Sequence, residues 1–161
     1  MISQKMADSI NDQIKAELES AYIYLSMSTY FEDTNLKGMA HWTKKQAQEE
    51  MEHAEKFMEH LYARGARVVL EALAKPATKF EGPLVVFKEV LKHERYVTGR
   101  INKMMDLAIE EKDYAAQSML NWFIDEQVEE EASAEEIVRK IEFVDDSNSS
   151  LYLLDKELGG R

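Results

Sequence analysis

The chain has 161 residues, 45% of them hydrophobic and 32% charged, with two prolines, six glycines and a formal charge of -11. This suits one globular domain with a sizeable core rather than a disordered chain. The absence of cysteine excludes disulfides, zinc knuckles, iron–sulfur clusters and thiol nucleophiles. The acidic balance argues against nucleic-acid binding and suits cations.

The opening "MISQKMADS" has no apolar signal core, and no apolar run approaches a membrane span. The expected setting is the cytoplasm, with no membrane partner. Strong helix formers fill most of the chain, broken at "EDTNLKG", "RGARVVLEALAKPATKFEGP", "EKDY" and "VDDSNSS". The breaks predict one all-α domain, with four long helices over about 5–143 and a short fifth over about 147–158.

Each long helix carries an inward stripe at heptad spacing. In the first it is Ile10, Ile14, Glu17, Ala21, Tyr24, Ser28 and Phe31. In the second it is Met39, Gln46, Glu50, His53, Phe57 and Leu61, and Gly65 marks the end of the helix. Pro83 suits the first turn of the third, whose stripe is Phe87, Val90, Glu94, Val97, Ile101, Met104 and Ala108. Asp113 is the expected N-cap of the fourth, with Ala116, Leu120, Phe123, Gln127, Glu130, Ala134, Ile137 and Ile141 inward. Every stripe is apolar towards its ends and polar near its middle.

Helix geometry brings those middles together. Short turns make the first two helices antiparallel neighbours, and likewise the last two long ones. Folding about Thr34 sets Glu17 level with Met51, between Glu50 and His53. Folding about Lys112 sets Glu94 level with Glu130. The segment from Gly65 to Gly82 is long enough to run the length of a helix, which makes the second and third helices parallel across a crossover. All the interior polar residues then meet in one layer.

Four carboxylates inside an apolar bundle cost several kcal/mol each to ionise, and they repel one another. Two divalent cations would neutralise them, and His53 adds a nitrogen ligand. Oxygen-rich donors with one nitrogen suit iron or manganese.

Glu17, "EEMEH" with Glu50 and His53, "KHE" with Glu94, and "DEQVEEE" with Gln127 and Glu130 resemble the non-haem bacterial ferritins. The likeness covers nearly the whole chain, "LYLLDKEL" included. It implies a ferritin-like bundle, a 24-subunit homo-oligomeric shell, a ferroxidase centre in each subunit and a stored ferric mineral. The substrates would be ferrous iron with O2 or H2O2, and a separate electron donor would serve iron release. The general constellation of this fold, a Glu from each of two helices with Glu-x-x-His on the others, is long described.

Within that frame Glu17, Glu50 and His53 form one metal site. Glu94, Glu130 and the far oxygen of a bridging Glu50 form the other. Gln127 stands where a second Glu-x-x-His would have its glutamate, and is expected to act as a hydrogen-bond donor or weak ligand. The second site lacks imidazole and should hold metal more loosely. By resemblance Tyr24 hydrogen-bonds at the centre and supplies an electron. Also by resemblance, Glu49, Glu126 and Glu129 join Glu130 in a third iron site facing the cavity. Glu131 is expected to point outward. Glu52, Glu55 and Glu59 form a further acidic row.

Met51 occupies the place of a haem-ligating methionine of bacterioferritins, but lies off the inward stripe. The second Glu-x-x-His of those proteins is absent, and no haem is expected. Where animal ferritins have acidic residues lining a three-fold channel, this chain has Gln117 and Leu120. The short last helix must pack on something, at a four-fold axis by resemblance. The alternative is a di-iron oxidase or peroxidase, like rubrerythrins or bacterioferritins, that stores nothing.

Overall fold

The computed structural model describes residues 1–144 and 148–160. The described residues form five helices: α1 (Gln4–Asp33), α2 (Lys37–Ala63), α3 (Pro83–Glu110), α4 (Tyr114–Phe143) and α5 (Asn148–Leu158). The break expected before α5 includes residues 145–147, which lie outside the described residues. No helix is long and apolar enough to cross a membrane among the residues described.

The boundaries follow local chemistry. Ser3 caps α1 by accepting from the Met6 N–H at 3.0 Å. The tight connections after α1 and α3 each place one residue at positive φ, Asn35 at 61° and Lys112 at 55°. Gly65, just past the end of α2, has φ 70°, a conformation glycine adopts without steric cost. Asp113 caps α4 by accepting from Ala116 N at 3.1 Å. Its two oxygens also accept from Arg64 Nη1 and Nη2 at 3.0 and 3.1 Å, which ties the end of α2 to the start of α4.

The α1–α2 and α3–α4 hairpins pack into a four-helix bundle with two apolar halves. One half gathers Phe31, Met39, Trp42, Phe87, Val90 and Ile137, and the other gathers Ile10, Ile14, Phe57, Leu61, Ile101 and Phe123. The crossover between α2 and α3 lies extended along α1. Val69 N donates to Asn11 Oδ1 (2.8 Å), Ala74 N to Glu19 Oε1 (3.1 Å), and Ser26 Oγ to the Ala77 carbonyl (2.6 Å). α5 folds back onto the start of α2 and the end of α4, burying Leu154 and Leu158 in the first half of the core.

Candidate metal centre

Between the two apolar halves lies a polar layer. Glu17, Gln46, Glu50, His53, Glu94, Gln127 and Glu130 are all buried, as are Gln13 and Ser20 of α1. They come from four helices at one depth, as the stripes require.

Glu17, Glu50 and His53 form a tight group in which one ligand atom of each lies within 4.8 Å of the others. Glu50 Oε2 is 3.4 Å from His53 Nδ1 yet receives no hydrogen bond. His53 is walled by the rings of Trp122 and Phe123, with centroids 5.5 and 5.8 Å away. Lys56 Nζ lies over the Trp122 ring, 4.2 Å from its centroid. Glu94 is held from two sides: Tyr24 donates its hydroxyl to Oε1, and Gln127 Nε2 donates to Oε2 at 3.2 Å. Gln46 Nε2 donates to Glu130 Oε2 at 2.8 Å.

Electrostatics show how costly the layer is. Burial pushes the Glu17 carboxyl well up, and the neighbouring Glu50 pushes it further. Burial and the Glu94 charge do the same to Glu50. Glu130 is pushed up to about 7 by burial and then by Glu94, against the opposing Gln46 amide. Burial, then the charge of Glu94, raises the Tyr24 hydroxyl. Burial and mutual repulsion thus favour the neutral, protonated forms of these carboxyls over their ionised ones.

Three buried atoms make the same point: Glu17 Oε2, Gln46 Oε1 and Glu50 Oε2 have no hydrogen-bond partner. Gln46 Oε1 is an acceptor, and the two carboxyl oxygens become acceptors once their protons leave. A buried acceptor without a donor costs about 1–3 kcal/mol, and a cation satisfies several at once. The donor set therefore fits a hard or borderline divalent ion.

Around this centre the residues sort themselves less evenly than the sequence suggested. Glu126, half-buried, joins His53 and Glu130 in a second group whose ligand atoms lie within 4.8 Å of one another. Glu49 is half-buried and Glu129 exposed, and neither belongs to that group. Glu131, expected to point outward, lies off the metal centre and is partly exposed, but it is not free. It is half-buried against α3, where Thr98 Oγ1 donates to it at 2.6 Å and Arg95 lies 3.7 Å away. Thr98 sits one turn after Glu94, and that face of α3 needs a partner from α4. Glu52, Glu55 and Glu59 are exposed, as is Met51. Gln117 Nε2 donates to the Ala108 carbonyl at 3.1 Å, and Leu120 is core.

Sequence reading missed Gln13, Trp122 and Arg100. Gln13 donates to Glu17 Oε1 at 2.8 Å. A signal existed: Gln13 lies four residues before Glu17, on the same helical face.

Residues 7–144 match the ferritin-like domain family. The bacterial non-heme ferritin of Bacteroides fragilis (strain 638R) is 44% identical over 161 residues, all of both chains. That of Staphylococcus saprophyticus is 37% identical, over 100% of this chain and 96% of the relative. An open-pore ferritin from the hyperthermophilic archaeon Archaeoglobus fulgidus superposes with a TM-score of 0.99 at 45% identity, covering 100% of this chain and 99% of that one. Likeness of this degree, running from one end to the other and including the buried polar layer's helices, leaves one placement: the chain belongs to the ferritin-like domain family.

Proposed function

We propose that the protein is an iron-storage ferroxidase. Ferrous iron is its substrate, O2 or H2O2 its oxidant, and ferric oxyhydroxide its stored product, held inside a hollow shell of 24 copies. The observation that carries this reading is the set of three donorless buried oxygens in a layer of four carboxylates and one imidazole.

Glu17, Glu50 and His53 hold one ferrous ion. Glu94, Glu130 and the second oxygen of Glu50 hold the other. Binding displaces the protons that burial keeps on Glu17 and Glu50. The two ferrous ions give up two electrons, which with two protons convert O2 to H2O2, or H2O2 to two waters. Tyr24, bonded to Glu94, is placed to supply a further electron. Because Tyr24 and Gln127 already engage both oxygens of Glu94, the second site binds more weakly, which suits release of product towards the cavity. Glu126 and Glu130, with Glu49 and Glu129 beyond them, receive the departing ion. No haem takes part in this scheme.

An aerobic ferrous titration of the purified protein tests the reading, with absorbance and particle mass followed together. The expected result is ferric absorbance that grows well past saturation of the centres while the particle gains mass. Oxidation that stops once the centres are filled would support the non-storing di-iron oxidase instead.

A further inference from the structure

Three of the four carboxylates receive a glutamine amide. Gln13 donates to Glu17 (2.8 Å), Gln46 to Glu130 (2.8 Å) and Gln127 to Glu94 (3.2 Å). The three amides are not held alike. Gln127 shares its Nε2 among the Glu94 carboxylate, the Glu94 carbonyl and Thr98 Oγ1. Gln46 has a donorless Oε1. The oxygen of Gln13 accepts from Arg100 Nε at 2.8 Å.

That contact decides the amide's orientation. The two ends of a glutamine amide are nearly the same shape, but a guanidinium only donates. Gln13 must therefore turn its oxygen to Arg100 and its NH2 to Glu17. Arg100 is itself fixed: Nη2 donates to Asp12 Oδ2 at 2.6 Å and Nη1 to Tyr96 Oη at 3.2 Å, with its guanidinium carbon 5.7 Å from the Tyr96 ring centroid. Glu17 Oε1 is thereby occupied, and Oε2 is the oxygen left without a partner. A residue that merely filled space at position 13 would not need an amide satisfied at both ends in a fully buried place.

We infer that Arg100 and Gln13 are positioning residues for Glu17. The cation on α3 fixes the amide on α1, and the amide fixes which carboxylate oxygen is offered to metal. This rests on the two-metal reading above and assigns it a supporting pair outside the ligands. Such partners set metal affinity by about 10–100-fold.

Anaerobic titration of the full-length protein with cobalt(II), read by calorimetry and visible absorption, tests the inference. The wild type should show two classes of bound ion, the first identified as the class lost in His53→Ala. Gln13→Met should weaken that class by about 10–100-fold and shift its visible bands, with the other class unchanged. Arg100→Met lies at the half-buried rim and leaves the core intact. It should weaken the same class by a smaller factor, and Arg100→Lys should restore it. Equal weakening of both classes, unchanged binding in Arg100→Met, or no rescue by lysine would overturn the inference. A wild type lacking two classes would overturn the two-metal reading and this inference with it. Two classes in the wild type with wild-type binding in the variants would sink the inference alone.

Discussion

At the scale of single residues, the centre is a place where ionisation and folding oppose each other. Glu130 ordinarily titrates near 4.5 and here near 7, and Glu17 and Glu50 are raised in the same direction. A carboxyl with a raised folded-state pKa holds its proton more tightly when folded. Its contribution is complete below about 4.5 and is lost as pH rises through about 7. For Glu130 alone the loss amounts to about 3 kcal/mol. Metal-free protein should therefore lose thermal stability between pH 5 and 8 by several kcal/mol. Glu130→Gln should flatten part of that slope, and added divalent ion should restore stability at pH 8. Melting curves across this range check all three, and a flat metal-free profile would contradict the burial argument. The four carboxylates were legible in the sequence because each interrupts an apolar stripe. Arg100 was not, since nothing in α3 taken alone shows that it reaches Gln13 across the bundle. The partners of Glu131 were hidden for the same reason: helical phase places it off the inward stripe, and only the packed α3 shows Thr98 meeting it.

At the scale of elements, α5 docks by caps as much as by apolar contact. The N-cap of α2 is Leu36, whose side chain has no oxygen to offer. Asp155 of α5 supplies the missing acceptor, taking the Met39 N–H at 2.8 Å while itself almost fully buried. Gly38 permits the approach: a Cβ built there would lie 1.6 Å from the Asp155 carbonyl oxygen. Gly38→Ala must push α5 away and break the Met39–Asp155 bond. It should cost about 1–3 kcal/mol and raise hydrogen exchange throughout α5. Asp155→Ala removes the cap without the clash and should cost about 1 kcal/mol. Exchange confined to α2, with α5 still protected in Gly38→Ala, would show that the contact does not hold the helix. The short last helix and its need for a partner were readable in "LYLLDKEL". Its partner was not, because a capping contact over 116 residues of sequence separation leaves no local pattern.

At the scale of the molecule, the bundle divides its labour. One apolar half includes Leu154 and Leu158 of α5, while the other is closed by the long helices with Ile2, Ala66 and Val68 and includes no described residue of α5. Between them the polar layer draws on α1 to α4 only. α5 leaves Tyr152 and Leu153 exposed, and the adjoining end of α4 leaves Phe143 exposed, so this end of the bundle carries apolar surface that the single chain does not cover. In the proposed shell such surface would lie where subunits meet, and the short helix should then matter more to assembly than to the chain's own fold. Ending the chain after Val144 puts this to the test. The truncated protein should keep its α-helical spectrum apart from the share of the 11 residues of α5, and should still bind metal at Glu17, Glu50 and His53. Its particle mass by light scattering should fall sharply from that of the full chain. A truncated protein that assembles to full size would place the subunit contacts elsewhere. One that loses its helical spectrum would show that Leu154, Leu158 and the Asp155 cap hold the bundle itself together.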